Sequence, residues 1–266
     1  DGKVAIKLHS GEARNQNFLK PEFWKPVIDY VGGTVVECNT AYEGERNTTA
    51  KHKKTLEAHG WSRYFKVDLL DAEGPDLEIA IPNGKVIQKN FVGKDLADYD
   101  SLLVLSHFKG HAMGGFGGAL KNISIGIASS AGKAWIHTAG KTKTDLWNNL
   151  PEQDHFLESM AEAAKAVTTH CGENILYISV MNRLSVDCDC DSNPEEPKMA
   201  DIGMLASLDP VALDKACVDL VYASPDPGRV HLIERMESRH GIHIVEHAEA
   251  LGMGSQRYDL VSLDDK

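Results

Sequence analysis

Two histidines and a lysine stand close together near the middle of the chain, at His107, Lys109 and His111. Imidazole nitrogens bind transition metals and transfer protons near neutral pH, and a lysine can orient an anionic substrate. The spacing of the two histidines suits a pair of metal ligands, on one face of a helix or in a loop. We therefore predict that His107 and His111 bind a metal and that Lys109 and His111 act in catalysis. The alternative is that the imidazoles bond backbone groups at a tight turn.

A glycine-rich stretch follows these residues. It reads GGFGG at residues 114–118 and continues through ALKN to residue 122. Glycine lets the backbone approach a ligand closely, and amide groups at the start of a helix attract anions. The stretch matches neither the P-loop pattern nor the dinucleotide-binding fingerprint, so its spacing names no particular ligand. We predict that six of its residues bind an anionic cofactor or substrate, the alternative being a turn that serves only tight packing. The six are Gly114, Gly115, Gly117, Gly118, Lys121 and Asn122.

The run DCDCD at residues 187–191 has the most unusual composition in the chain. If the run is extended, the thiols of Cys188 and Cys190 face one way and the three carboxylates face the other. Neighbouring carboxylates are expected to raise the pKa of a thiol, which opposes a free nucleophilic thiolate. A bound cation reverses this effect, because metals deprotonate the thiols that coordinate them. We predict that Cys188 and Cys190 are metal ligands; a disulfide or an acidic surface turn are the alternatives.

The elements around these residues indicate how they could meet. An apolar run at residues 102–105 is short enough for a buried strand and leads directly towards His107. A second such run, at residues 4–8, ends at His9. Open α/β sheets bind ligands at the carboxyl ends of their strands. We therefore predict His9 as a further metal-binding histidine in the same cleft.

The first 60 residues alternate between strands and helices, which is the pattern of a parallel sheet. Residues 61–92 differ, because several prolines and an Asn-Gly hairpin signal at residues 83–84 predict a small antiparallel excursion. The expected fold is α/β, with a mainly parallel, Rossmann-like sheet flanked by helices in a single domain of residues 1–266. The predicted strands are residues 4–8, 34–38, 101–105, 174–180 and 258–261; the clearest helices are residues 21–31, 47–59, 154–170 and 210–222.

Charge and cysteine content exclude several classes of protein. The 28 basic and 39 acidic residues give a net charge of −11, which disfavours nonspecific nucleic-acid binding. No apolar run reaches the roughly 20 residues needed to span a bilayer. Five cysteines are an odd number with uneven spacing, which indicates reduced thiols rather than a secreted disulfide framework. We expect a cytoplasmic protein whose partners include neither nucleic acid nor membrane.

Three segments carry a resemblance to a known family. They are VAIKLHSGE at residues 4–12, SHFKGHAMGGFGGALKN at residues 106–122 with SSAGK at residues 129–133, and DCDCDSNPEEPKMADIGMLASLDPVALDKACVDL at residues 187–220. In this order they resemble the uncharacterised iron–sulfur-centre proteins, domain of unknown function 362. The resemblance implies an α/β fold and a bound metal or redox centre near His107, His111 and the Cys188/Cys190 pair.

The chain departs from that family in one respect. Many relatives carry a ferredoxin-like insert with repeated CxxCxxC ligands after the SSAGK segment, whereas residues 135–171 of this chain contain only Cys171. No ferredoxin-type [4Fe-4S] ligand set is therefore present in this sequence. The expected cofactor is a metal ion, iron or zinc, because mixed histidine and cysteine ligands suit these metals.

These observations favour a metal- or redox-cofactor-binding protein, with a His/Cys cleft beside a glycine-rich anion-binding turn. On this interpretation it is an enzyme, with oxidoreductase chemistry as one option, and its substrate is a small anionic molecule. One alternative is a non-catalytic metal-binding adaptor that exchanges electrons with a partner protein. Another is a phosphate- or nucleotide-binding protein in which the cysteines have no role.

Overall fold

A six-stranded sheet forms the centre of the computed structural model, which describes residues 2–264. Five strands are parallel, and one edge strand is antiparallel to its neighbour. In spatial order the strands are β10 (Gly203–Ser207), β9 (Ile175–Met181), β6 (Ser101–His107), β1 (Val4–Lys7), β2 (Thr34–Glu37) and β3 (Val67–Leu69). The mainly parallel α/β fold predicted from the sequence is confirmed.

Two small antiparallel sheets accompany the main one. The first pairs β4 (Leu77–Ala80) with β5 (Lys89–Val92), which confirms the antiparallel excursion within residues 61–92. The second pairs β7 (Lys109–His111) with β8 (Gly115–Gly117). This second hairpin carries both predicted catalytic residues, Lys109 and His111, and part of the glycine-rich stretch.

Helices cover both faces of the sheet. They are α1 (Pro21–Val31), α2 (Thr49–Ala58), α3 (Trp61–Tyr64), α4 (Ala119–Ser124), α5 (Ser130–His137), α6 (Gln153–Cys171), α7 (Pro210–Ala223), α8 (Arg229–Ser238) and α9 (His243–Ala250). Successive side chains of a strand point to opposite faces. In β6, Leu102 and Val104 therefore join one buried cluster with α4, α6 and α7, whereas Leu103 and Leu105 join another with α1 and α2. Between residues 2 and 264, none of the helices combines the length and the apolar character needed to cross a bilayer.

Three details of the sheet differ from the sequence prediction. Residues 67–69 form an additional parallel strand at one edge, and β10 forms the other edge; neither strand was predicted. Residues 258–261 were predicted as a strand and form no regular structure. That prediction was wrong because Leu260 and Val261 lie on the surface, 59% and 72% exposed, without a neighbouring strand to pair with.

Candidate functional site

A cavity of about 470 Å³ lies where the predicted site residues meet. This volume is within the range of pockets that bind small molecules. Its wall is formed by residues that follow β1, β2 and β6, by the loop at residues 187–192, and by parts of α4 and α5. Ten of the twelve residues predicted from the sequence line it: His9, His107, Lys109, His111, Gly117, Gly118, Lys121, Asn122, Cys188 and Cys190.

Three of these residues form a group that could hold a metal ion. One ring nitrogen of His111 and the sulfur atoms of Cys188 and Cys190 all lie within 4.8 Å of one another. His111 is the last residue of β7, and the two cysteines belong to a loop that is held by hydrogen bonds from Asn15. The Asn15 side-chain amide donates to the carbonyls of Cys188 and Asp191 at 3.2 and 2.8 Å. Two sulfurs and one imidazole are a donor set that suits zinc or iron.

The hydrogen bonds of His111 determine how its ring can serve as a ligand. The amides of Gly114 and Met113 donate to Nδ1 at 2.8 and 3.3 Å. Burial lowers the pKa of His111 well below its ordinary value, and the charge of Lys121 adds to the effect, so the ring is neutral. A neutral ring that accepts at Nδ1 carries its proton on Nε2, whereas a metal ligand must present a lone pair. The donor set fits a metal, but binding at Nε2 requires the turn at residues 112–114 to change its hydrogen bonds to Nδ1.

The two thiols differ in their acidity. A hydrogen bond from Cys190 lowers the pKa of Cys188 well below its ordinary value, against the effect of burial. The Lys121 ammonium, 3.6 Å from the Cys188 sulfur, acts in the same direction as this hydrogen bond. The pKa of Cys190 is raised because it holds the proton that it donates to Cys188. Asp189 raises the pKa of Cys188, as expected of a neighbouring carboxylate, but the hydrogen bond and the charges of Lys121 and Lys109 outweigh it.

His107 and Lys109 share the carboxylate of Asp189, which is 1% exposed. The His107 ring approaches Asp189 through Nδ1 at 2.9 Å and the carbonyl of Asn182 through Nε2 at 2.7 Å. Both partners are acceptors, so this geometry directs both ring nitrogens at acceptor oxygens. Both nitrogens are therefore engaged by protein oxygens, and the predicted role of His107 as a metal ligand does not fit this geometry.

Lys109 completes the arrangement through an ion pair, with its Nζ 2.9 Å from Oδ2 of Asp189. Burial lowers the pKa of Lys109, but the charges of Asp189 and Cys188 outweigh burial and the net shift is upward. The side chain lines the cavity as a fixed cation, and its predicted catalytic role stays a prediction.

His9 lies in the same cavity wall but outside the group of three metal donors. Its Nδ1 accepts from the amide of Gly11 at 3.1 Å. Burial lowers the pKa of His9 well below its ordinary value, with a further contribution from Arg46. The ring is therefore neutral and faces the cavity, and its role as a metal ligand stays a prediction.

The glycine-rich stretch does not provide the anion site predicted at the start of α4. Both oxygens of Asp214, which is fully buried, accept from the amides of Ala119 and Leu120 at 2.7 and 2.9 Å. A Cβ at Gly118 would lie 2.3 Å from that carboxylate, so the glycine is needed for this contact. The helix start is therefore already capped by a carboxylate from α7, and the amides are not available to an external anion.

The other three glycines differ in whether they line the cavity. Gly115 has φ +80°, and a Cβ there would lie 2.9 Å from Cα of Gly241; a Cβ at Gly114 would lie 3.2 Å from the Met160 side chain. Neither Gly114 nor Gly115 lines the cavity, so their predicted binding role is not supported. Gly117 does line it, beside Lys109 and Lys121.

Asn122 holds α4 against the end of β6. Its side-chain amide donates to the carbonyl of Leu105 and the hydroxyl of Ser106, both at 3.1 Å. The sequence prediction gave Asn122 a direct contact with the cofactor. Asn122 also lines the cavity, and this predicted contact stays a prediction.

Sequence reasoning missed a second set of charges in the cavity wall. Glu37 accepts from the Lys7 ammonium at 2.8 Å, and Arg46 donates to Glu12 at 3.1 Å. Lys133, on α5, lines the same wall. A signal for two of them was present, because Lys7 and Glu37 are charged residues at the ends of otherwise apolar strands.

Comparisons with known proteins place the sequence in a family. The profile of the family described as Domain of unknown function (DUF362) matches residues 4–219, and the chain belongs to that family. No curated protein matches the sequence. The fold is similar to the lactate racemase apoprotein from Thermoanaerobacterium thermosaccharolyticum, with a TM-score of 0.49, 16% identity, and coverage of 83% of this chain and 49% of the other. It is also similar to a protein from Thermotoga maritima, with a TM-score of 0.44, 12% identity, and coverage of 94% and 55%. The chain thus spans about half the length of both structures.

Proposed function

We propose that this member of the DUF362 family is an enzyme that holds a zinc or iron ion through His111, Cys188 and Cys190 and acts on a small organic anion. The observation that carries the proposal is that the three donor atoms lie within 4.8 Å of one another in the wall of a cavity of about 470 Å³. Three protein ligands leave one position of a tetrahedral site for water or substrate. A metal ion there supplies Lewis acidity to a substrate oxygen.

The open cavity favours an enzyme over the two alternatives. A non-catalytic adaptor predicts a closed set of ligands, whereas these three donors face a space large enough for a small molecule. A phosphate site built on the glycine-rich turn is disfavoured because Asp214 already occupies the amides at the start of α4.

Asp189 and Lys121, which lie beside the three donors, have specific roles in this proposal. Asp189 fixes the cysteine loop by binding His107 and Lys109, and its carbonyl accepts from the amide of Glu12 at 2.8 Å. Lys121 places a positive charge beside the Cys188 sulfur and so favours its thiolate form. The chain thereby keeps the two thiols at one fixed place in the wall before any ligand binds.

The proposal is tested by metal content. Protein purified without air or chelator is expected to contain one zinc or iron per chain and to lose it in Cys188→Ser and in Cys190→Ser. Cys171→Ser is the matched control, because Cys171 is a free thiol at the end of α6 and lies outside the donor group. Full metal content in both site variants contradicts the proposal.

A second set of potential ligands must be removed for this test to be decisive. Asp154, His240 and His243 also bring one ligand atom each within 4.8 Å of one another, at the surface between α6 and α9. All variants are therefore compared in a His240→Ala background. Metal that depends on the cysteines in that background belongs to the cavity.

A further inference from the structure

Lys133 is a buried cation in the cavity wall without a matching anion. It is 7% exposed, and its ammonium donates to the carbonyl of Ala128 at 2.6 Å. An ammonium has three N–H donors, and Ala128 uses one of them. Among residues 2–264, no carboxylate oxygen lies within 4.0 Å of its Nζ, whereas the cavity also borders this side chain.

The other buried cations of the cavity are already paired. Lys7 has Glu37 at 2.8 Å, Arg46 has Glu12 at 3.1 Å, and Lys109 has Asp189 at 2.9 Å. Lys121 also lines the cavity, and its ammonium donates to the Cys188 sulfur. Burying an ammonium without a counter-ion is strongly unfavourable. Within the part of the chain that the structure describes, the Lys133 ammonium therefore lacks a counter-ion on the side that borders the cavity.

One part of the remaining wall is apolar. It is formed by the glycine-rich hairpin, the end of α4 and the segment after α5, and its side chains are Met113, Ile125, Leu146 and Trp147. Trp147 is 61% exposed, so a large ring is available to a ligand. Small-molecule sites commonly combine an apolar wall with a few polar groups that fix orientation.

We infer that the cavity binds a small organic acid whose carboxylate or phosphate pairs with Lys133 and whose apolar body contacts Trp147. The inference rests on the proposed function, since it names the class of molecule on which the site acts. It gives Lys133 a substrate-binding role and uses the SSAGK segment, to which the sequence prediction assigned no site residue.

Calorimetric titration with two matched probes tests the inference. Phenylacetate and phenylacetamide have nearly the same size and ring but differ in charge. Wild-type protein is expected to bind phenylacetate at least about tenfold more tightly than the amide, because a charge-assisted hydrogen bond contributes about one decade or more in affinity. Equal affinities for the two probes, or binding of neither, overturns the inference.

Substitutions test whether the preference for phenylacetate depends on Lys133. Lys133→Met is expected to weaken phenylacetate binding about tenfold or more and to leave phenylacetamide binding unchanged, whereas Lys133→Arg retains the preference for the acid. Lys141→Met is the control, because Lys141 is exposed and does not line the cavity. An unchanged preference in Lys133→Met contradicts the inference. Trp147→Ala is expected to weaken both probes; unchanged binding of both would contradict the contact assigned to Trp147.

The same variants separate this inference from the proposed metal site. Lys133→Met is expected to keep the metal bound at Cys188 and Cys190. Cys188→Ser is expected to lose the metal and to keep the preference for phenylacetate over phenylacetamide. If Lys133→Met loses the preference for phenylacetate but keeps the metal, the result supports the acid site independently of the metal site. Failure of the metal test alone leaves that conclusion unchanged.

Discussion

Asp189 accepts from the His107 ring and from the Lys109 ammonium, both at 2.9 Å, while it is almost completely buried. Burial by itself raises the pKa of a carboxyl group, but His107 and Lys109 outweigh it and hold the pKa of Asp189 well below its ordinary value. A carboxyl group with a lowered pKa stabilises the fold above its unfolded pKa, and this contribution is lost as the pH falls through the folded value. The cysteine loop is therefore expected to loosen in acid.

Replacing Asp189 tests this contribution. Asp189→Asn leaves the buried Lys109 ammonium with a neutral partner and is expected to lower the free energy of unfolding by about 3–5 kcal/mol, as when one member of a buried ion pair is removed. Chemical denaturation at pH 7 measures the change. Asp191→Asn is the control, because Asp191 is exposed and a change there is expected to cost less than about 0.5 kcal/mol. Equal effects of the two substitutions would contradict the role of Asp189.

Residue types pointed to the three residues of the proposed metal site but not to the partners of the other site residues. The two cysteines and His111 stand out in the sequence because their side chains bind metals. His107 has the same chemistry, yet its ring is held by Asp189 and Asn182, which are 82 and 75 residues away in the chain. No local pattern shows such contacts, so the sequence could not distinguish a ligand histidine from one whose two ring nitrogens both face acceptor oxygens.

At the scale of elements, α4 begins at a carboxylate that belongs to another helix. Asp214 on α7 is fully buried and accepts from two amides at the start of α4, and burial raises its pKa to about 7. A carboxyl group with a raised pKa contributes stability that is fully present below its unfolded pKa of about 3.9 and is lost as the pH rises through the folded value. The contact between α4 and α7 is therefore expected to weaken between about pH 4 and pH 7.

This weakening gives a prediction for Asp214→Asn. The amide keeps one oxygen acceptor but cannot ionise, so the free energy of unfolding is expected to fall less between pH 4 and pH 7 in the variant than in the wild type. Denaturation curves across that interval measure the free energy of unfolding of both proteins. The contributions of other titrating groups cancel in the difference between the two. Parallel curves for variant and wild type would show that Asp214 does not titrate in this range.

Elements with local start signals were predictable, and short edge strands were not. The predicted bounds of α1 match the structure, and α7 begins at Pro210 after an Asp209 side chain that accepts from the amides of Val211 and Ala212. The strand β3 has three residues, and β10 exposes Met204 at 66%, so neither has the apolar run that identifies a buried strand. Residues 258–261 have strand-like composition but find no partner.

At the scale of the whole molecule, the order of strands brings the site together. β1 lies between β6 and β2, so Lys7, Glu37 and His107 meet at one edge although they are far apart in the chain. Alternation of strands and helices predicted this parallel arrangement and hence a site at the carboxyl edge. The pairing of charges across the cavity depends on the packing of β7, α4 and α5, which the sequence pattern does not specify.

Metal binding is expected to stabilise the whole fold. A ligand that binds only the folded state at 100 times its Kd adds about 2.7 kcal/mol, which raises the Tm of a chain of this size by roughly 5–10 °C. Chelator is therefore expected to lower the Tm of the wild type by this amount and to leave Cys188→Ser/Cys190→Ser unchanged. Scanning calorimetry with and without chelator measures the shift. An equal shift in both proteins would assign the stabilising metal to another site.

The most direct measurement is the absorption spectrum of the protein loaded with Co²⁺ in place of the proposed zinc or iron. Thiolate ligands give cobalt an intense charge-transfer band in the near ultraviolet, which imidazole or carboxylate ligands alone do not give. We expect this band in the wild type and in Cys171→Ser, and we expect no band in Cys188→Ser, in Cys190→Ser or when both cysteines are replaced. Cobalt that binds without a thiolate band, or a band that persists in the double variant, would contradict a metal centre at His111, Cys188 and Cys190.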